Sequence, residues 1–304
     1  MNRGWEAPEK EGAGLRFLYR TAPGRAALKL LSGRAVSRLA GRFMDSPLSR
    51  PLIGSFVRRN GIRLEDYAER RFACFNDFFC RRIRPELRPL PEDPALLFAP
   101  CDGRLSAWRV DEGLVLDLKH SRYTLDELFA GDPVAARYWD GVCLVFRLCV
   151  DDYHRYCYPD GGRKGENVFI PGELHTVRPI ALHELPVFTR NCREYTVMDT
   201  EHFGVVTQME IGAMLVGRIQ NHRGAGDIVR GEEKGTFLFG GSTVLLLLEK
   251  GRAELPEELF LQSARGLELP VRMGQPLGRA LTPAGAAPRA ASDQKERIMV
   301  NDHA

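Results

Sequence analysis

The sequence predicts an α+β chain in which a basic, helical N-terminal region precedes a mainly β body of barrel or sandwich type. Three observations carry that expectation. Apolar residues in the first part of the chain recur at three- and four-residue steps. A Pro-rich passage at Pro85, Pro89, Pro91 and Pro94 then interrupts the pattern. Beyond residue 97, short runs rich in Val, Leu, Ile and Phe alternate with Gly, Pro, Asp and Asn.

Taken in order, Leu28, Leu31, Ala35, Leu39 and Phe43 form an apolar stripe beside Arg34, Arg38 and Arg42, the pattern of an interfacial amphipathic helix. Ser32, Gly33 and Gly41 weaken that helix. Between Leu64 and Arg84, the spacing of Tyr67, Phe72, Phe75, Phe78 and Phe79 predicts a helix with an inward aromatic face. Strands are expected over Gly141 to Val150, Val168 to Pro171, Gly204 to Ile211, Met214 to Ile219, Thr236 to Phe239 and Thr243 to Glu249. Without a regular βαβ alternation, a doubly wound sheet is disfavoured. Three parts result: a helical, basic, membrane-associating region (1–90), a mainly β catalytic domain (91–270) and a disordered tail (271–304), rich in Ala, Gly, Pro and Arg.

A net charge of +3 conceals a strong asymmetry. From Gly14 to Arg63 eleven Lys and Arg face Asp45 alone, so that segment carries +10 and the rest −7. Such a block suits an anionic membrane surface, and each basic residue near the leaflet contributes about 1 kcal/mol. Aromatic residues are too sparse there for nucleic-acid stacking, so no nucleic-acid partner is expected. Seven cysteines without a C-x-x-C pair argue against a disulfide framework or a zinc knuckle and for a reducing, cytosolic compartment. Acidic residues near the N-terminus argue against a signal peptide, and the apolar run Val244 to Leu248 is far shorter than the about 20 residues a membrane span needs. Dinucleotide, P-loop, zinc-protease and nucleophile-elbow signatures are missing.

Three stretches hold reactive side chains in apolar surroundings. Ala99 to Arg104 places Asp102 in a turn before a strand, where a carboxylate ordinarily caps backbone N–H groups. Val150 to Pro159 gathers Asp151, Asp152, Tyr153, His154, Arg155, Tyr156, Cys157 and Tyr158. Gly235 to Thr243 runs through Gly240-Gly241-Ser242 into an apolar strand. The plain reading is a hairpin turn, but the Ser242 hydroxyl there can reach the unobstructed Gly241 carbonyl and exchange amide for ester.

In this order and at these separations the stretches resemble the phosphatidylserine decarboxylase family, over about Phe75 to Lys250. The resemblance rests on Phe75-Asn76-Asp77-Phe78-Phe79-Cys80-Arg81 with Arg88-Pro89, on Pro100-Cys101-Asp102-Gly103, and on Phe146-Arg147-Leu148 with Asp152-Tyr153-His154-Arg155. Further matches are Gly172-Glu173-Leu174, Asn191-Cys192-Arg193, Ile211-Gly212-Ala213 with Val216-Gly217, and Gly240-Gly241-Ser242-Thr243.

The resemblance implies a proenzyme that cuts itself between Gly241 and Ser242. Ser242 becomes a covalent pyruvoyl cofactor, and no metal is implied. The processed enzyme would convert phosphatidylserine to phosphatidylethanolamine and CO2. Asp102 and Ser242 carry over as members of the cleavage machinery, and His154 as the proton carrier of decarboxylation. Many members have a second histidine three residues on, where this chain has Cys157. Either a Cys157 thiolate or His154 would then be the cleavage base. The partners implied are the lipid substrate, an anionic membrane at the cytoplasmic face, the two cleaved chains held together, and a homodimer. On charge alone, Lys119, Arg147 and Arg155 are candidates for gripping the headgroup phosphate. Alternatives are a decarboxylase of another serine lipid and an unprocessed, non-catalytic membrane-binding homologue.

Overall fold

The structure, a computed structural model, describes residues 4–7, 12–111, 114–118, 121–213, 218–239 and 242–281. Its N-terminal region is helical: α1 (Ala13–Arg20), α2 (Ala22–Leu31), α3 (Arg34–Met44), α4 (Leu52–Asn60) and the one-turn α5 (Phe75–Phe79). Thr21 caps α2 by accepting a hydrogen bond from the Gly24 N–H at 3.0 Å. A Cβ on Gly24 would lie 1.9 Å from the Phe17 carbonyl oxygen, so glycine is what lets α1 and α2 fold back so closely.

The single amphipathic helix expected over Leu28 to Phe43 is two helices, divided at Ser32 and Gly33. Its apolar stripe divides too. Leu28 enters the core, whereas Leu39 is 70% exposed and Phe43 is also exposed. The helix expected over Leu64 to Arg84 shrinks to α5, because backbone pairing closes that stretch into a loop: Ala68 N–H donates to Arg82 O and Arg84 N–H to Asp66 O. Inward burial of the aromatics holds nonetheless. Phe72, Phe75, Phe78 and Phe79 make one cluster, and Tyr67 packs with Ile83.

In chain order the strands are β1 (Leu96–Phe98), β2 (Gly103–Arg109), β3 (Leu114–Leu118), β4 (Ser121–Thr124), β5 (Val142–Leu148), β6 (Arg155–Cys157), β7 (Gly162–Ile170) and β8 (Arg193–Thr200). They continue as β9 (Gly204–Ile211), β10 (Ile219–Asn221), β11 (Gly226–Ile228), β12 (Glu233–Phe237), β13 (Ser242–Leu248), β14 (Ala253–Glu254), β15 (Leu269–Val271) and β16 (Pro276–Ala280). The later helices are α6 (Leu125–Phe129), α7 (Pro179–Glu184), α8 (Val187–Arg190) and α9 (Glu257–Ala264). An antiparallel eight-stranded sheet of order β11-β7-β8-β9-β13-β5-β2-β15 dominates, accompanied by the small sheets β10-β12-β6 and β1-β16-β14. The expected mixed α+β chain with a mainly β body is therefore what forms. Of the expected strands, the start of Met214 to Ile219 falls at 214–217, outside the described residues.

Both faces of the large sheet are covered, which is why its central strands read as continuous apolar runs. Val145, Leu245, Leu247 and Met209 face a cluster completed by α6, α7, α8 and Tyr19 of α1. Leu144, Phe146, Val244 and Leu246 face the opposite way, against Tyr156 of β6, Phe237 of β12, Leu277 of β16 and Leu259 of α9. Each buried Leu contributes about 1.5–3 kcal/mol, so β13 anchors the body from its centre. The body also runs past the expected boundary at residue 270: β16 pairs with both β1 and β14, and of the expected tail 282–304 lie outside the described residues.

Candidate active site

The three reactive stretches meet at one end of the large sheet. Ser242 opens β13 directly opposite Leu148, the last residue of β5. On the far side of β5, Arg104 pairs with Arg147, so Gly103 and Ser242 flank the end of the same strand. Two strand spacings separate their backbones, about 10 Å. A Cβ on Gly103 would sit 2.9 Å from the Arg147 carbonyl oxygen, so only glycine brings the Asp102 turn in this close.

The second stretch reaches the same place by strand pairing. Cys157 N–H donates to Pro100 O at 2.9 Å, which lays the end of β6 along the Asp102 turn. His154 O accepts from Phe237 N–H at 3.0 Å, just where the chain leaves β12 for Ser242. Phe239, in that connection, has its N–H bonded to Asn76 Oδ1 at 3.0 Å, and its ring packs edge-on against Phe75 and Phe79. Gly240 and Gly241, the expected cleavage-site glycines, lie outside the described residues.

Burial sets the chemistry of each group. Ser242 is 1% exposed, and its Oγ has no hydrogen-bond partner among the described residues. His154 is fully enclosed. Desolvation drives its imidazole down to about 3, assisted by the charge of Arg81 and opposed by the bond between Nδ1 and the Asp152 carbonyl. The ring is therefore neutral at physiological pH. With Nδ1–H donating to that carbonyl, Nε2 carries the free lone pair, and it too has no partner among the described residues. Cys157 behaves in the opposite sense to a reactive thiol: burial pushes it up to about 12, and Sγ–H donates to Pro100 O at 3.4 Å. Asp102 accepts from Arg88 through both oxygens, and Oδ1 also accepts from Met273 N–H at 2.9 Å. Asp152 lies deeper. Burial raises its carboxyl to about 7, against a backbone bond from Cys149 N–H and the charge of Arg104.

Two of the arginines considered for the headgroup already have carboxylate partners. Arg147 is forked onto Glu268 at 2.8 and 2.5 Å, and Arg155 binds Glu233 at 2.5 Å and the Cys80 carbonyl at 2.8 Å. Their charges are thus countered inside the protein. Lys119 lies outside the described residues. Asn76, Phe79 and Phe239 were not singled out for roles from the sequence, although the first two stand inside a quoted motif.

The sequence pattern of the family described as phosphatidylserine decarboxylase matches residues 75–279. The chain is 38% identical to phosphatidylserine decarboxylase proenzyme 2 of Clostridium acetobutylicum over 275 residues, 90% of this chain and 94% of that one. It is 38% identical to the phosphatidylserine decarboxylase proenzyme of Ruminiclostridium cellulolyticum, covering 88% and 91% of the two chains. With the proenzyme of that name from Clostridium botulinum type Ba4 it shares 37% identity, over 87% and 92%. These matches make the chain a decarboxylase. It belongs to the phosphatidylserine decarboxylase family.

Proposed function

We propose that this chain cuts itself between Gly241 and Ser242, carries the resulting pyruvoyl group at position 242, and decarboxylates phosphatidylserine to phosphatidylethanolamine and CO2. The observation that carries this reading is the Ser242 hydroxyl, buried and without a hydrogen-bond partner among the described residues, at the head of a strand paired on both sides. An unpaired buried hydroxyl costs about 1–3 kcal/mol, a cost that a nucleophile poised beside its own peptide bond accounts for. In the cleavage, Ser242 Oγ bonds to the Gly241 carbonyl carbon and the peptide C–N bond breaks, giving an ester and a free amine. Loss of the Ser242 α-proton expels the Gly241 carboxylate. Hydration of the dehydroalanine left behind releases ammonia.

The residues present suit such a group. When formed, it supplies an electrophilic carbonyl that takes up the electron pair freed as CO2 leaves. His154 contributes a neutral Nε2 able to accept and return a proton, oriented by the Asp152 carbonyl. Phe79 packs on the imidazole and Phe239 packs edge-on against Phe79, which gives the site an apolar wall. Asp102 supplies a fixed carboxylate at the neighbouring strand end. Cys157 keeps its proton and serves as a structural donor, which leaves His154 as the cleavage base.

Cleavage would leave the short chain in place. Its β13 lies between β5 and β9, and its β15 and β16 pair with β2 and β1. The basic N-terminal region suits a peripheral site on an anionic membrane, with Leu39, Phe43 and Leu48 exposed. No helix among the described residues is long and apolar enough to cross a membrane.

Incubating the purified protein with phosphatidylserine micelles and with a serine-bearing ether lipid tests substrate and reaction together. Phosphatidylethanolamine should form from the first at the higher rate. Turnover of the ether lipid alone would move the assignment to another serine lipid, and no turnover of either would favour the unprocessed homologue.

A further inference from the structure

We propose that Arg88 is a positioning residue for self-cleavage, holding the Asp102 carboxylate in its working place at the strand end across β5 from Ser242. The proposal rests on the reading that Asp102 takes part in cleavage. Arg88 Nε donates to Asp102 Oδ1 at 2.7 Å and Nη2 donates to Oδ2, a two-point fork with both side chains less than a tenth exposed. Arg88 Nη1 is spent on the Leu87 carbonyl at 2.8 Å, so the guanidinium is itself oriented.

The fork is built into a tight junction of three segments. Gly274 N–H donates to Ala99 O, and Ala99 N–H donates to Gln275 O. A Cβ on Gly274, at φ 85°, would lie 2.3 Å from the Pro89 carbonyl oxygen. Arg88-Pro89 is therefore wedged between the Asp102 turn and the turn at 273–275. Met273 N–H completes the set on Oδ1, so Oδ2 accepts from Arg88 alone among the described residues. After cleavage Met273 belongs to the short chain and Arg88 and Asp102 to the long one, so the junction also ties the products together.

This arrangement answers the substitution at Cys157. Where many family members carry a second histidine, this chain presents a protonated thiol turned to the Pro100 carbonyl. The cation on Asp102 is Arg88. Arg88 cannot give up its proton at any relevant pH, so its part is to fix geometry and charge and not to transfer a proton.

The test follows cleavage in a cell-free synthesis chase for the wild type, Arg88→Lys, Arg88→Gln and Asp102→Asn, with circular dichroism on each purified chain. Arg88→Lys, which keeps the charge and loses the fork, should cleave on the order of tenfold more slowly. Arg88→Gln, which loses both the charge and the fork, should be recovered largely uncut. Folded Arg88 variants that cleave with the wild-type half-time overturn the proposal. If Arg88→Gln does not fold, Arg88→Lys decides alone by the same criterion. Asp102→Asn separates the two readings: if it cleaves normally, the role of Asp102 fails; if it stays uncut while the Arg88 variants cleave normally, only the role of Arg88 fails.

Discussion

The His154 ring lies 4.2 Å, centroid to centroid, from the ring of Phe79, and its Nδ1 is 3.0 Å from the Asp152 carbonyl oxygen. An aromatic wall on one side and a backbone acceptor on the other fix one tautomer of a neutral imidazole. Two measurements follow for His154→Gln. Decarboxylase activity should fall by about two to four orders of magnitude, the usual contribution of a positioned acid–base group. Self-cleavage should slow as well, because Cys157 retains its proton; full activity would remove His154 from both steps.

The same residue gives stability a pH signature. Its folded-state value, about 3, is below the ordinary histidine value of 6.5, so the unfolded chain binds the extra proton between them. Stability should therefore fall as pH drops from about 6.5 toward 3. Relative to wild type, His154→Gln should gain in melting temperature between pH 7 and pH 5. A constant difference would contradict a buried neutral ring.

Asp152 has the opposite sign. Its folded-state value, raised to about 7 by burial, means that the folded chain holds the proton longer. The stability gained from this is full below about 4 and is lost as the pH rises through about 7. Asp152→Asn should therefore gain on wild type in melting temperature from pH 5 to pH 8. A difference that shrinks over that range would place the carboxylate in a more hydrated setting.

Beneath Ser242, on the same face of the sheet, Glu210 pairs across from Val244 and holds Lys234 at 2.6 Å, both completely buried. Burial pushes the carboxyl up and the ammonium down, each opposed by its partner. Breaking the pair with Lys234→Met alone should cost about 3–5 kcal/mol, whereas Lys234→Met with Glu210→Leu should recover most of that loss. Denaturant melts of the three proteins decide it, and equal losses in the single and double variants would refute a mutual compensation.

Membrane association can be probed without disturbing the site. Removing residues 1–60 would also delete Asp45, Ser49 and Phe56, which bond to or pack on Asn76 and Phe75 beside Phe239. Leu39→Asp with Leu48→Asp changes only exposed side chains. This variant should lose cosedimentation with anionic liposomes while keeping its melting temperature. Unchanged binding would place the lipid surface elsewhere.

Legibility in the sequence followed the range of the interactions. Gly204–Ile211 and the strand at Ser242 were readable because β-rich runs bounded by glycine are local signals. The loop at Leu64 to Arg84 was not, since the Ala68–Arg82 pairing overrides an aromatic spacing that suits a helix equally well. Pro276–Ala280 reads as tail, and it becomes a strand only through partners at Leu96–Phe98 and Ala253–Glu254. Within the site, Asp102, His154 and Ser242 were marked by residue type and order. Arg147 and Arg155 looked free because their carboxylates, Glu268 and Glu233, stand far along the chain, and only folding brings them together.

An intact mass spectrum of freshly purified protein, beside Ser242→Ala, tests the central claim most directly. The wild type should give two chains, 1–241 and 242–304, the shorter bearing the mass of a pyruvoyl group in place of its N-terminal serine, and Ser242→Ala should remain one chain. A wild-type protein that decarboxylates phosphatidylserine as a single uncut chain would contradict the account.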